Sequence, residues 1–330
     1  MAERNFIDLI DGQAAQGHHL SVGVDIDWAR VPEEFGSEPT EQGLFEYGRM
    51  VMDTTAHVAA MFKPNREFSA AYMRVGGLNA LARLVEYSRI TYPDIPVAID
   101  AKQGDIGRTN EMALLGLFGE LGEPDAITIH PWMGKVAMET HLQLSNKGFI
   151  VTAKTSNPGS GEFQDVPVSE QLDVDRLIES FLEPELRNIM REMYLDGGLD
   201  LQTILGEGVD PSSVRFRPFW QVLSQHVTSP DGWNANGNVG VVIGATYEEE
   251  ARTARQNAHE SPILSPGLGT QEGIVVDMRN SKGSGVVYNS ASGIMLPKRK
   301  KIDEHGSVKA AIKNAAEATH KQIQEALGLA

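Results

Sequence analysis

The chain has 330 residues, of which 41% are hydrophobic and none is cysteine, and its formal net charge is −16. The length allows two average domains or one barrel-sized domain, and the acidic balance argues against general affinity for nucleic acid or membranes. The lack of cysteine excludes disulfides and cysteine–zinc sites. No apolar run approaches the roughly 20 residues of a membrane span, and residues 1–5 do not begin a secretory signal. We therefore expect a cytoplasmic protein.

The first half of the chain alternates predicted helices with short, nearly continuous apolar segments. Helices are predicted over residues 3–16 and 39–58, around residues 78–85, and over residues 110–121. Strands are predicted over residues 20–27, 60–65, 97–102, 126–131 and 148–156. Apolar strands of this kind are typical of a parallel sheet that is covered by helices on its faces.

The second half resumes this pattern after a long, less regular connection at residues 160–236, which includes a predicted helix around residues 184–194. We interpret the connection as an elaboration within the same domain, between the fifth and sixth strands. Three more strands are predicted over residues 239–246, 262–267 and 285–290, and a helix over residues 247–258. The basic residues 298–301 are interpreted as a solvated loop. A last helix begins after Gly306, with Ser307 as its N-cap.

Eight strands that are mostly separated by helices predict an α/β protein, a single (β/α)8 TIM barrel over residues 1–330. A doubly wound sheet is the alternative that the pattern leaves open. Polar residues gather at the carboxyl ends of the strands: Asp25, Lys63, Asp100, Lys102, His130, Ser156 and Thr246. In barrels this end carries the active site, so these residues are candidates for a functional role.

The third strand has the most unusual pattern, because three charged residues fall within six positions. The alternation of a strand places Asp100 and Lys102 on one face, and Asp105 follows beside a glycine. Such a cluster is costly to desolvate unless its members pair with one another. A solvated strand end with a local ion pair is the structural alternative.

The sequence Asp100-Ala-Lys102-Gln-Gly-Asp105-Ile106-Gly-Arg-Thr109 resembles the signature of the orotidine 5′-phosphate decarboxylase family. Further segments resemble the family in the same order along the chain: residues 22–27, 62–65, 155–159, 240–246 and 265–271. The later segments are similar to loops of the longer bacterial branch of that family.

The resemblance implies cofactor-free decarboxylation of orotidine 5′-monophosphate to UMP and carbon dioxide in de novo pyrimidine biosynthesis, without a metal. It implies that Lys102 donates a proton to C6 of the pyrimidine and that Asp100 lies by the departing carboxylate. It also implies a homodimer with shared active sites, in which Asp105 reaches the site of the partner subunit. The ligand that the resemblance implies is a small nucleotide.

The same resemblance implies a set of substrate-binding residues. Asp25 and Lys63 would bind the ribose hydroxyls, and Ser156 and Pro266 would contact the pyrimidine. Gln271 and Ser292 would contact the phosphate, and Ile106 and Thr109 would lie near Asp105. Taken one by one, these residues also have structural explanations. Lys63 could form a strand-end salt bridge, Ser156 could belong to a turn, and Gln271 could be solvated.

The chain departs from the family's pattern after the eighth strand, where Ser292 stands at the position of a phosphate-binding arginine. A serine can hydrogen-bond a phosphate but supplies no charge. His130 and Lys154 also stand where asparagine and arginine are expected. Candidate replacement cations are Lys282, Lys298 and Arg299. Otherwise phosphate affinity is weak, or the substrate differs.

Two other functions therefore stay open at this point. The first is a decarboxylase of a phosphorylated sugar acid, which keeps the fold and the Asp100–Lys102–Asp105 set but typically needs a metal. The second is a nucleotide-binding homologue without catalytic activity that has lost its phosphate-binding arginine. The complete set of acids and lysine favours the decarboxylase of orotidine 5′-monophosphate.

Overall fold

The computed structural model describes residues 4–169, 216–244, 248–268 and 274–330. The strands are β1 (Leu20–Val24), β2 (Ala59–Pro64), β3 (Ala98–Gln103), β4 (Ala126–Ile129), β5 (Gly148–Lys154), β6 (Pro167–Ser169), β7 (Phe216–Pro218), β8 (Val239–Ile243), β9 (Ile263–Pro266) and β10 (Val286–Ser290). The α-helices cover Phe6–Ala15, Glu41–Thr55, Arg66–Ala70, Gly77–Thr91, Gly107–Leu114, Gly134–Leu142, Gly161–Gln164, Phe219–Thr228, Glu248–Ala258, Ser292–Met295, Arg299–His305 and Val308–Ala326. None of these helices is long and apolar enough to cross a lipid bilayer.

Eight of the strands form one parallel sheet, in the order β2-β1-β10-β9-β8-β5-β4-β3. Two isolated parallel bridges, Phe62 with Val97 and Asn65 with Asp100, join the two outer strands of this sheet. The amide of Phe62 also donates a hydrogen bond of 3.0 Å to the carbonyl oxygen of Pro96. The sheet therefore returns on itself as a (β/α)8 barrel, which confirms the predicted fold class.

The first helix, Phe6–Ala15, closes the end of the barrel where the strands begin. Its side chains Phe6 and Ile10 are buried in one cluster with residues of the strands, namely Ala60, Met61, Ala98, Ala126, Ile150, Val242, Leu264 and Val287. The contact is close at the start of β5, because a Cβ added to Gly148 would lie 2.2 Å from a ring carbon of Phe6. The opposite end, where the strands finish, is left for polar side chains.

The chain divides into two compact units. The first comprises Met1–Pro158 and Leu223–Ala330 and contains the barrel, and the second comprises Gly159–Val222. In the described part of the second unit, β6 pairs antiparallel with β7, with Val168 opposite Arg217. The helix predicted around residues 184–194 lies outside the described residues. The interpretation of residues 160–236 as part of one domain stays a prediction.

Two predictions near the C-terminal end of the chain can be compared with the structure. Arg299–His305 is a helix that ends at Gly306 in a left-handed conformation, with φ of 81°. The solvated loop expected over residues 298–301 was therefore wrong from Arg299 onward, and an ion pair of 3.0 Å from Arg299 to Asp303 stabilises the helix. The N-cap prediction is confirmed, because the hydroxyl of Ser307 accepts a hydrogen bond of 3.1 Å from the amide of Ala310.

His141 is buried in the apolar interior of the first unit. Neither of its ring nitrogens has a hydrogen-bond partner among the described residues. Its ring packs edge-on against Phe149, with the ring centroids 5.8 Å apart. Burial lowers the pKa of His141 to about 4, so the imidazole is neutral in the folded protein near neutral pH.

Acidification is therefore expected to destabilise the fold through His141. Above the ordinary pKa of 6.5 both folded and unfolded states hold a neutral ring, but between 6.5 and about 4 protonation favours the unfolded state. The free energy of unfolding should fall by about 3 kcal/mol at most. Urea unfolding of wild type and His141→Phe at about pH 7 and about pH 4.5 measures it. The variant should lose less stability, whereas His226→Phe, at an exposed position, should behave as wild type. Equal losses in wild type and His141→Phe would contradict the assignment.

Candidate active site

Lys63, Asp100 and Lys102 form an ion-paired group where β2 and β3 end. The Nζ atom of Lys63 lies 3.0 Å from Oδ2 of Asp100, and the Nζ atom of Lys102 lies 2.7 Å from Oδ1. The side chains of Lys63 and Asp100 are 5% and 12% exposed, whereas that of Lys102 is 48% exposed. One carboxylate is thus shared by a buried ammonium group and by another that is open to a ligand.

Asp25 at the end of β1 completes the charge group. Burial raises the pKa of Asp25, and Lys63 and Lys102 oppose this effect. Burial also opposes the charge of Lys63, but Asp25 and Asp100 raise the pKa of Lys63 above the ordinary lysine value. Burial acts against Asp100 as well, yet the two lysines hold the pKa of Asp100 well below its usual range. Two acids and two lysines therefore balance one another away from water.

The backbone of Lys102 is in the left-handed region, with φ of 43°. That conformation is uncommon for a residue with a side chain and marks local strain. The register between β3 and β4 also shifts between Ile99 and Gln103, so this segment departs from regular pairing. Irregularities of this kind re-aim side chains near active sites. Here the departure coincides with the residue that carries the exposed ammonium group.

A cavity of about 280 Å³ lies at the same end of the barrel. Four of the predicted site residues line it: Asp25, Ser156, Pro266 and Ser292. They come from the ends of β1, β5, β9 and β10, so the barrel brings together residues that are far apart in the sequence. Gly244 permits this arrangement after β8, because a Cβ there would lie 2.8 Å from the backbone nitrogen of Ser156.

The other predicted site residues that the structure describes are not among those that line this cavity: Lys63, Asp100, Lys102, Asp105, Ile106 and Thr109. Asp105 is half-buried, and its carboxylate accepts a hydrogen bond of 2.8 Å from the amide of Ile106. Ile106 and Thr109 are exposed beyond β3. Gln271 and Thr246 lie outside the described residues. The described part of the chain shows no group of three or more histidine, aspartate or glutamate side chains that could hold a metal ion.

Comparison with known proteins shows which relatives the chain resembles. Residues 40–180 match the model of the "Orotidine 5'-phosphate decarboxylase / HUMPS family". The orotidine 5′-phosphate decarboxylase of Thermomicrobium roseum is 31% identical over 82% of this chain and 77% of its own length. That of Bordetella pertussis is 32% identical, with 84% of each chain covered. The chain belongs to the orotidine 5′-phosphate decarboxylase family. The family predicted from the signature around Lys102 is thereby confirmed.

Solved structures show the same fold. The OMP decarboxylase of Leishmania donovani matches with a TM-score of 0.67 at 24% identity, over 99% of this chain and all (100%) of its own. The orotidine 5′-monophosphate decarboxylase of Plasmodium berghei matches with a TM-score of 0.66 at 18% identity, over 98% of both chains. This chain and these solved structures therefore have the same barrel fold.

Thr128 on β4 is a residue of the site that sequence reasoning missed. Its hydroxyl donates a hydrogen bond of 2.8 Å to Oδ1 of Asp100 and accepts one of 2.9 Å from the amide of Lys102. The side chain is buried, at 1% exposure. Thr128 thus ties the shared carboxylate to the strained backbone. A threonine in an apolar strand carries no motif, and only the register between β3 and β4 reveals this role.

His130 at the end of β4 belongs to the wall of the same region. Its Nδ1 atom lies 3.0 Å from the hydroxyl of Thr152 on β5. Burial, followed by the charge of Lys102, lowers the pKa of His130. The ring is therefore neutral near neutral pH and acts as a hydrogen-bonding group there.

Replacement of Thr128 by valine is expected to loosen the site without changing its volume. The buried Asp100 loses a donor, so Thr128→Val should lower the free energy of unfolding by about 1–3 kcal/mol. It should also lower kcat by about 10-fold, because Lys102 is less firmly positioned. Urea unfolding and steady-state kinetics measure both effects. Thr55→Val is the matched control, since the buried Thr55 hydroxyl only bonds the carbonyl of Val51 within one helix. Equal effects of the two substitutions would exclude a special role for Thr128.

Proposed function

We propose that the chain decarboxylates orotidine 5′-monophosphate to UMP and carbon dioxide, with Lys102 as the proton donor to C6. Membership of the family makes the chain a carboxy-lyase of pyrimidine biosynthesis, and the roles of single residues are the proposal. The observation that carries them is the ion-paired group of Lys63, Asp100 and Lys102 at the active end of the barrel.

The reaction requires stabilisation of negative charge at C6. When the bond from C6 to the carboxylate breaks, its electron pair stays on the ring until a proton arrives. The ammonium group of Lys102 can both attract that charge and supply the proton. Its ion pair of 2.7 Å with Asp100 fixes its position, and its 48% exposure leaves it accessible to a ligand. Preorganised charges of this kind are a major source of catalysis.

Asp100 has two functions in this proposal. It holds Lys102 in place, and its low pKa keeps it charged at neutral pH. A substrate carboxylate bound beside it would be repelled, and loss of carbon dioxide would relieve the repulsion. This interaction would be weaker in the transition state than in the bound substrate, so it would favour the chemical step.

The cavity supports the proposed binding of ribose and base. Asp25 lines the cavity, and its Oδ1 atom has no hydrogen-bond partner among the described residues, so its carboxylate can accept a bond from a ribose hydroxyl. The charge of Lys63 favours the charged form of that carboxylate. Ser156 and Pro266 line the cavity at the proposed position of the pyrimidine. The hydroxyl groups of a ribose can supply the donor that the Asp25 carboxylate lacks among the described residues.

Lys102→Ala is expected to lower the rate of decarboxylation by at least about 10⁴-fold, because it removes the cation and the proton source together. Loss of orotidine 5′-monophosphate absorbance measures the rate, with a metal chelator present throughout. Lys147→Ala is the control, since Lys147 bonds the carbonyl of Pro124 at the opposite end of the strands. An inactive wild type would refute the proposed reaction. An active Lys102→Ala variant would refute the assigned mechanism.

We further propose that the working enzyme is a cytoplasmic homodimer with shared sites. Six large apolar side chains between residues 106 and 136 are exposed: Ile106, Met112, Leu115, Trp132, Met133 and Val136. They lie on the segments that follow β3 and β4, and Asn110 ties these segments together with a bond of 2.6 Å to the carbonyl of Ala137. Exposed apolar patches of this kind mark interaction surfaces. A second copy that covers the patch would also bring its Asp105 to the neighbouring site.

Shared sites predict complementation between inactive variants. Lys102→Ala and Asp105→Ala should each be inactive, but a hybrid dimer holds one site with both residues intact. Random mixing gives such hybrids in half of the dimers, so activity should return to about one quarter of wild type. A mixture of Lys102→Ala with Asp100→Ala is the control and should stay inactive, because both residues belong to the same site. No recovery in purified Lys102→Ala/Asp105→Ala hybrids would exclude shared sites.

A further inference from the structure

Arg30 stands at the cavity, close to the position where a phosphate-binding arginine is missing. We propose that Arg30 binds the phosphate of the nucleotide and supplies the positive charge that Ser292 lacks. The inference rests on the proposed function, because it takes the ligand to be a nucleoside monophosphate. Arg30 lies in the loop after β1, which the sequence did not connect with the phosphate.

The strand order brings Arg30 and Ser292 to neighbouring loops. Strand β1 pairs with β10, with Val22 opposite Ser290. Arg30 ends a 3-10 turn (Trp28–Arg30) that follows β1, and Ser292 follows β10. Both residues line the cavity of about 280 Å³. The backbones approach closely here, since a Cβ on Gly23 would lie 2.4 Å from that of Ala291.

The side chain of Arg30 is available for a ligand. It is exposed, and it forms no ion pair or side-chain hydrogen bond with a described residue. Its backbone is nevertheless fixed, because its amide donates a bond of 2.9 Å to the carbonyl of Asp27. The amide of the buried Trp28 donates a bond of 2.9 Å to the hydroxyl of Tyr72. A fixed backbone with an unengaged guanidinium group is suited to hold an anion.

The charges around the cavity make this cation necessary for a phosphate. Asp27 also lines the cavity, so an entering dianion meets a carboxylate that is not part of the balanced group of Asp25, Asp100 and the two lysines. Arg30 is the one cationic side chain among the described residues that line it. A guanidinium group can form two parallel hydrogen bonds to a phosphate. The hydroxyl of Ser292 can add a hydrogen bond but cannot offset the charge of Asp27.

The cations expected from the sequence are placed elsewhere. Lys282 lines a different cavity, together with Asn5 and Ile10, at the end of the barrel that the first helix closes. Arg299 is paired with Asp303. Lys298 is exposed and precedes the same short helix, and neither it nor Arg299 lines the cavity of Ser292. The structure therefore favours Arg30 over all three.

Binding of UMP and of uridine tests the proposal, because the two ligands differ by the phosphate alone. Arg30→Ala should weaken UMP binding about 10- to 100-fold and leave uridine binding unchanged. Titration calorimetry on the full-length enzyme measures both. Lys298→Ala, the matched control, should leave both affinities unchanged. Unchanged UMP binding by Arg30→Ala would overturn the proposal, as would an equal loss for uridine, which would indicate a structural effect.

A second variant tests whether Arg30 acts in place of an arginine at position 292. Ser292→Arg in the Arg30→Ala background should restore UMP binding to within about 10-fold of wild type. No restoration in the folded double variant would count against the exchange of roles. These measurements do not depend on turnover. An enzyme that binds UMP through Arg30 but leaves orotidine 5′-monophosphate intact would refute the proposed function alone, whereas active enzyme with UMP binding independent of Arg30 would refute this inference alone.

Discussion

The site depends on one carboxylate that two ammonium groups share. Asp100 is mostly buried, and a lone carboxylate there would take up a proton. Lys63 and Lys102 prevent this, and Lys63 in turn relies on Asp25 and Asp100 to stay charged in its own buried position. The group is neutral as a whole, so it can exist away from water. Removal of any one member leaves an uncompensated charge, which is far more costly than loss of a surface ion pair.

The closed barrel makes this charge arrangement possible. The bridge between Asn65 and Asp100 places β2 against β3, so Lys63 and Asp100 become neighbours although 37 positions separate them. Thr128 then approaches from β4 and bonds both Asp100 and the amide of Lys102. The left-handed backbone of Lys102 is unfavourable in isolation. It persists because the surrounding strands and the two ion pairs hold it there.

The sequence was informative wherever a short-range pattern decides the structure. Alternation along β3 predicted that Asp100 and Lys102 share a face, and apolar strands with polar ends predicted the barrel and its active end. Thr128 and the backbone of Lys102 could not be predicted, because they depend on the register between strands. The expected helix boundaries missed Arg299–His305 for a related reason, since a basic run indicates solvation but not conformation. Arg30 was missed because it ends an irregular turn that carries no motif.

Arg30 and Ser292 show how a barrel can move a binding group between loops. Each loop is anchored by its own strand, so neighbouring loops at the active end reach the same ligand from different directions. A phosphate requires positive charge within reach but does not require that a particular strand supply it. Asp27, which lines the cavity and is not part of the balanced charge group, makes that requirement stricter, because its carboxylate repels the ligand. A chain that lacks arginine at position 292 can therefore keep its substrate if the loop after β1 provides one. In the proposed mechanism the ammonium group of Lys102 has no such freedom, since its proton must reach a single carbon atom.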